Sequence, residues 1–484
     1  MPKDKAVDTP QAQTIETDFC VIGAGAGGLA LAMAATAFGQ RVVLIEKNKM
    51  GGDSLNYGGI PAKALLAAAK RAHAMRTASS FGIRGVEPLI DPVAVHHYIT
   101  DTVAEVSQNA SVERLSGLNI RVITAAAKFI GRSTVAAGDY RVTARRFVIA
   151  TGSSPVIPAI PGLADVPFFT TQTIFENRTL IPHLIVIGAG SAGLEFAQAY
   201  RRLGSRVTVL DVGQALSGED PELAVVLLTR LAREGIAIRE GVQIKGISGG
   251  PGKIAVELQT GDDSEILEGT ALLVAAGRKA NIADLGLDAA SIRVAQNAIK
   301  VNGGLRTTNW RVYAIGGATG APSCAHIASE HAGVVLRRSL FRWPFRTKGE
   351  HAPRVVFTDP ELATIGLSET EARTSYGRIF VLRWPYHEND RAQIEHEPDG
   401  HIKVITSKHG KILGAGIVGA GAGELIQMWS LAISQGLNIK AMTEWVSPYP
   451  TLSEINKKAA FRYFATAPSS PSLRKVIAFL AKLG

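Results

Sequence analysis

Only two of the 484 residues are cysteine, Cys20 and Cys324. A disulfide-stapled scaffold is therefore excluded, and so is any Cys-x-x-Cys zinc or thioredoxin-type site. So few cysteines fit a reducing, cytoplasmic compartment. No apolar run reaches the ~20 residues that a membrane-spanning helix requires. Residues 1–16 are polar and carry no apolar core, so no secretory signal is expected. The chain is thus expected to be cytoplasmic, either free or peripheral to the inner face of the membrane. His396, His401 and His409 have neither metal-ligand spacing nor an accompanying acid cluster, so no metal site is expected. Acidic residues number 42 against 52 basic ones, a net charge of +10. That sign suits nucleic acid, an anionic membrane or anionic cofactors. With no recognisable nucleic-acid motif and no dense basic stripe, nucleic acid is disfavoured.

Glycine, by contrast, is plentiful at 50 residues, and it falls in short motifs rather than repeats. The length predicts about three domains. An apolar strand, Asp18–Ile22, runs into Gly23-Ala24-Gly25-Ala26-Gly27-Gly28, then a helix from Leu29, then a strand Arg41–Ile45 ending at Glu46. Glycine at 23 allows a tight turn, at 25 the approach of a pyrophosphate, and at 28 close helix–strand packing. The helix N-terminus faces phosphate, and Glu46 can accept from ribose hydroxyls. The unit recurs. His183–Ile187 leads into Gly188-Ala189-Gly190-Ser191-Ala192-Gly193, a helix, and the strand Arg206–Leu210 before Asp211. In both copies the acid stands 18 residues after the last motif glycine (46 − 28 and 211 − 193). Two such units predict two bound dinucleotides. Asp211 favours NADH over NADPH, because a carboxylate repels a 2′-phosphate. Further buried strands are expected at Leu272–Val274 and Val312–Ile315. A linker rich in arginine, proline and aromatics is expected over 339–352.

These units, together with Gly51-Gly52-Asp53-Ser54-Leu55-Asn56-Tyr57-Gly58-Gly59-Ile60-Pro61-Ala62-Lys63, Ala150-Thr151-Gly152, Ala275-Ala276-Gly277-Arg278, Tyr313-Ala314-Ile315-Gly316, Ala325-His326 and Tyr449-Pro450-Thr451-Leu452-Ser453-Glu454, make the chain resemble the pyridine nucleotide–disulfide oxidoreductases. The resemblance runs from about Phe19 to Phe464. It implies an α/β fold with two Rossmann-like dinucleotide domains and a C-terminal α+β dimerisation domain. The expected boundaries are 1–155 and 281–350 for FAD, 156–280 for NAD(H), 351–465 for the interface domain and 466–484 for a tail. It implies FAD at the first fold, NAD(H) at the second, and a homodimer. Cofactor contacts are implied at Gly23, Gly25, Gly28, Glu46, Lys47, Gly52, Ser54, Thr151, Gly152, Gly316, Ala325 and His326, and at Gly188, Gly190, Gly193, Asp211 and Gly277. Lys63 and Glu195 match a Lys–Glu pair beside the flavin N5 and are the expected catalytic residues.

The sequence departs from the family at its defining positions. Ser54 and Gly59 replace the Cys-x4-Cys pair, so no redox disulfide forms. Tyr449 replaces the acid–base His, and a phenol titrates far above neutrality. Gly317 replaces an Asp expected on the ribityl chain. Electrons are then expected to pass from NADH through flavin directly to an acceptor, a quinone foremost, with lipoamide, glutathione disulfide and mercuric ion not expected as substrates. The rival readings are reduction of oxygen or another small oxidant, and a non-catalytic FAD/NAD-binding scaffold or redox sensor. Cys20 is expected in the core. Tyr386, His387, Asp390 and Arg391 form either a solvated loop or a wall of the acceptor site. In the tail, Leu473, Val476, Ile477, Leu480 and Leu483 share a helical face opposite Arg474, Lys475 and Lys482, which suits either an anionic membrane or docking on protein.

Overall fold

The computed structural model describes residues 13–347, 349, 352–465 and 471–483. Most of the polar segment 1–16, parts of the 339–352 linker and residues 466–470 of the tail lie outside the described residues. Short runs of apolar, mostly β-branched or leucine residues form the central strands, because strands buried on both faces carry no polar alternation. Val42–Glu46 and His183–Ile187 are buried at every position.

A seven-stranded sheet carries the first glycine turn. It runs in the order Ile120–Thr124, Val42–Glu46, Gln13–Ile22, Tyr140–Ile149, Thr134–Ala137, Ala127–Gly131, with Val312–Ala314 also joined to Tyr140–Ile149. The first four of these strands and Val312–Ala314 are mutually parallel, in a register such as Ile22↔Ile45 and Ile22↔Ile149. Their C-terminal ends therefore share one edge, where an α/β sheet binds its ligand. A second, wholly parallel sheet orders Ile236–Arg239, Arg206–Leu210, His183–Ile187, Ala271–Val274 and Phe169–Thr170. The third sheet is antiparallel, from Arg354–Val356 through Glu361–Gly366, Ile412–Gly419 and His401–Ser407 to Ile379–Pro385. The helix Ala422–Ser434 packs on it, and its fully buried Trp429 donates to Asn456 Oδ1 at 2.7 Å. This is the expected mixed α/β architecture.

Ion pairs stitch the second and third units together. Arg202, only 4% exposed at its side chain, meets Glu234 at 2.7 Å and Asp359 at 2.8 Å. Lys403 meets Asp220, Glu222 and Glu369 at 2.8–3.0 Å. The guanidinium of Arg383 and the ammonium of Lys403 hold the Glu222 carboxyl down to about 2. Removing one partner from such a buried set costs ~3–5 kcal/mol, because the remaining charge is left uncompensated.

Several boundaries differ from expectation. The first strand begins at Gln13, and the helix after it begins at Ala26, so Gly27 and Gly28 are helical. The C-terminal helix begins at Glu454 against an expected start at Leu452, and the tail helix, exposed along its length, is Pro471–Leu480 against an expected Leu473–Leu483. Tyr386 is neither solvated nor a wall of a site. It is fully buried, with its hydroxyl donating to the Ala420 carbonyl at 2.9 Å.

Candidate active site

The two glycine turns have nearly the same geometry. Gly23 and Gly188 hold φ of +104° and +109°, a region closed to most side chains. A Cβ on either would stand 2.4 or 2.5 Å from the carbonyl oxygen of Ala150 or Ala275. Gly28 and Gly193 each press on the carbonyl of the first motif glycine, leaving 1.9 Å for a Cβ. Each turn is then locked by its acid. Glu46 accepts from the backbone N–H of Ala24 at 2.7 Å and of Asn48 at 2.8 Å. Asp211 accepts from Ala189 at 2.7 Å and Gly213 at 2.8 Å.

A cleft of about 490 Å³ opens over the first turn. Of the expected contacts, Gly23, Gly25, Glu46, Lys47, Gly52, Ser54, Thr151, Gly152, Gly316 and Ala325 line it, as do Gly317 and Cys324. Gly28 packs beneath it. His326 is not brought into it, because its ring sits against the Pro353 carbonyl at 2.9 Å. The cradle fits a dinucleotide. Gly25 and Gly52 face one another with their backbones bare, and a Cβ on Gly52 would lie 2.7 Å from the Gly25 Cα. In the second unit Gly190 and Gly277 face open space beside Asp211, as a nucleotide approach requires.

Lys63 does not line this cleft, but its charge acts on Cys324, which does. Lys63 sits one turn into the helix Gly59–Thr77, whose Pro61 is tolerated in the first turn. Glu195 comes from Ser191–Arg202, the helix after the second glycine turn, and the two helices pack together. The ammonium reaches Glu195 Oε2 at 2.7 Å, with Glu195 8% exposed and Lys63 38%. The other oxygen, Oε1, accepts from the backbone N–H of Phe357 at 2.9 Å, and the Phe357 ring lies 4.3 Å from Lys63 Nζ. All three sheet-bearing units thus meet at one ion pair.

Two more supports escaped sequence reasoning. His331, buried on the helix Ala325–Ser339, accepts the Gly316 N–H at Nδ1, 3.1 Å away. Asp53, next to Ser54, takes Arg278 at 3.0 Å and Gln172 at 2.8 Å. Arg278 in turn donates to Ser153 Oγ and to the Ser153 carbonyl. Only the position of His331 in the motif-bearing helix hinted at the first, and nothing local hinted at the second.

Burial holds His331 below the usual imidazole range, so it is neutral and able to accept. The sign follows. Above about pH 6.5 both folded and unfolded histidine are neutral and the contribution is intact; it is lost as pH falls from there toward the depressed folded value. FAD release, followed by flavin fluorescence, is expected to quicken over that acid range. His331→Phe, which keeps the volume and removes the acceptor, is expected to weaken FAD retention roughly 5- to 100-fold at pH 7.5 by orphaning the Gly316 N–H. Unchanged retention in that variant would remove the assignment.

A family model described as pyridine nucleotide-disulphide oxidoreductase matches residues 17–332, and the dimerisation domain of the same family matches 352–460. The chain belongs to this family. A mercuric reductase of Streptomyces lividans is 32% identical over 452 residues, covering 92% of this chain and 95% of that protein. A dihydrolipoyl dehydrogenase of Geobacillus stearothermophilus is 31% identical over 455 residues, covering 92% and 96%. Among solved structures, the HOCl-induced flavoprotein disulfide reductase RclA from Escherichia coli aligns with a TM-score of 0.82 at 26% identity, covering 92% of this chain and 99% of that one. FAD and NAD(P)H are the cofactors of the pyridine nucleotide–disulfide oxidoreductases, and the chain carries their dimerisation domain.

Against that family, the disulfide site is vacated in substance as well as in name. Ser54 faces the cleft, and a Cβ on Gly59 would come within 2.7 Å of the Ser54 carbonyl oxygen. Neither cysteine substitutes. Cys20 is fully buried and its thiol is pushed far up by burial. Cys324 borders the cleft, but burial raises its thiol too, against the opposing pull of Lys63. Tyr449 is 71% exposed and donates to Asp390 Oδ2 at 2.9 Å, which holds its proton still more firmly. Glu454 takes the Thr451 N–H instead of Tyr449. A side chain at Gly317 would press on Ser153 Oγ at 3.0 Å. Among the described residues, no group of three metal-ligating side chains comes together.

Proposed function

We propose that the protein is an FAD-dependent NADH dehydrogenase that passes electrons directly to a quinone, without a protein disulfide. The carrying observation is that Ser54, which lines the cleft, and Gly59, at the start of the next helix, offer no thiol, while Lys63 on that same helix keeps its pair with Glu195 intact. Bound FAD would supply the two-electron relay between nicotinamide and acceptor. Gly25 and Gly52 offer it bare backbone, and Lys47 and Thr151 line the same wall. Lys63 keeps a cation within electrostatic reach of Cys324 at the cleft, and the buried Glu195 holds that cation in place. Overall, NADH gives up two electrons and a proton, and the quinone takes two electrons and two protons, the second from solvent. Serine and glycine leave more room beside the acceptor face than a disulfide does. Asp211, with both oxygens engaged by backbone N–H groups, sets a carboxylate beside the second glycine turn, and this supports NADH over a nucleotide carrying a 2′-phosphate.

On this reading the protein is a cytoplasmic homodimer joined through its C-terminal unit, and its basic tail helix touches anionic membrane. No helix among the described residues is long and apolar enough to cross a membrane. The test is anaerobic oxidation of NADH with menadione or a short-chain ubiquinone. Turnover is expected with NADH and to be about 100-fold poorer in kcat/KM with NADPH. Peroxide formation in air without any quinone turnover would favour the oxidase reading. Flavin that NADH leaves oxidised would favour a scaffold.

A further inference from the structure

We infer that an arginine–aromatic patch on the FAD-binding unit is a docking surface for an anionic lipid bilayer. Four separate segments build it. Phe38 caps the helix Ala26–Ala37 and meets Phe341 edge-on at 5.3 Å, and Phe341 meets Trp343 at 5.4 Å. Trp310, in the turn before Val312–Ala314, has the guanidinium groups of Arg311 and Arg146 over its ring at 4.5 and 5.1 Å. Burial and the charges of Arg145, Arg311 and Arg342 push Arg146 below the usual guanidinium range, so Arg342, between Phe341 and Trp343 in the chain, lies within electrostatic range of the Trp310 cluster.

These rings are not packed away. Phe38, Trp310, Phe341, Trp343 and Phe345 are each 45–57% exposed. Among the described residues Arg146, Arg311 and Arg342 pair with no carboxylate, whereas nearby Arg145 shares Asp18 with Arg41. A soluble surface seldom gathers so many large rings, and their grouping marks a contact site. Tryptophan rests at headgroup depth, phenylalanine inserts at the acyl boundary, and arginine can lay its stem on apolar material while its head reaches phosphate. Anionic lipid satisfies both demands at once, and the exposed rings come from a helix end, a turn and the irregular segment 341–345. The tail helix offers the same chemistry independently, with Val476, Ile477 and Leu480 on one face and Lys475 on the other. Docking itself does not depend on the acceptor being a quinone.

The FAD-loaded full chain is tested by flotation with vesicles of phosphatidylcholine alone or mixed with phosphatidylglycerol. Binding is expected only to the anionic vesicles and to fall with salt. Arg311→Gln with Arg342→Gln is expected to weaken it roughly 30-fold. If that pair loses flavin, Trp343→Ser on the exposed loop serves in its place and is expected to weaken binding as well. A chain ending at Ala465 is expected to retain patch-dependent binding. The inference is overturned if the wild-type chain does not float, or if it floats equally on neutral vesicles. It is also overturned if a flavin-loaded patch variant floats like the wild type, if truncation at Ala465 abolishes all binding, or if single-stranded DNA displaces the vesicles.

Discussion

Replacing Lys63 by alanine is expected to slow reduction of the flavin by NADH about 100-fold or more, the usual loss when one preorganised charge is removed from an active site. Stopped-flow bleaching of the flavin under anaerobic conditions measures it. The ammonium is held from two sides, by Glu195 at 2.7 Å and by the Phe357 ring at 4.3 Å. Its position is thus fixed before any ligand arrives, and the substitution removes charge without removing a binding surface of the cleft. Stability should fall less than for a fully buried pair. Lys63 is 38% exposed, and Glu195 keeps the Phe357 N–H as a partner. A rate unchanged in a variant that still holds FAD would strip Lys63 of its role. Glu195→Gln separates charge from geometry: it retains an acceptor for Phe357 and loses the countercharge.

What could be read in advance was local. Gly23, Gly25 and Gly28 stand within six residues, the first and last required by backbone geometry and the middle one leaving bare backbone for a ligand, and the acid that locks the turn follows at a fixed distance along one βαβ unit. The same holds at Gly188, Gly190 and Gly193. The contacts that complete the site join residues far apart in sequence. Phe357 reaches Glu195 across 162 residues, and Arg278 reaches Asp53 through folding alone. No periodicity encodes such pairs, because each residue alone fits an ordinary loop or surface. Tyr386 shows the converse. Its neighbours His387 and Asp390 are polar, yet the antiparallel sheet and the helix Ala422–Ser434 cover it completely. Gly27 and Gly28 are poor helix formers, but the helix begins ahead of them, because Gly28 must lie against Gly23 and Gly27 against Ala328.

Lipoamide is expected to be turned over at less than about one-thousandth of the rate with menadione, as for an enzyme stripped of its nucleophile. Reduction of a disulfide needs an attacking thiolate and a partner to receive the second sulfur. Ser54 supplies neither, and burial raises the thiols of both the enclosed Cys20 and the half-buried Cys324. Restoring sulfur alone should achieve little. In Ser54→Cys with Gly59→Cys the new Cβ at 59 meets the Ser54 carbonyl at 2.7 Å, so the start of the Gly59–Thr77 helix must move before the sulfurs can pair. Even a formed pair would find Tyr449 in place of an imidazole, its phenol tied to Asp390. Lipoamide turnover should therefore rise appreciably only when Tyr449→His is added to both cysteines, and the gain should show a pH dependence near the imidazole range. Appreciable lipoamide turnover by the unaltered chain would defeat the disulfide-free route, whereas a double-cysteine variant active without the histidine would show that Tyr449 already suffices as the proton carrier.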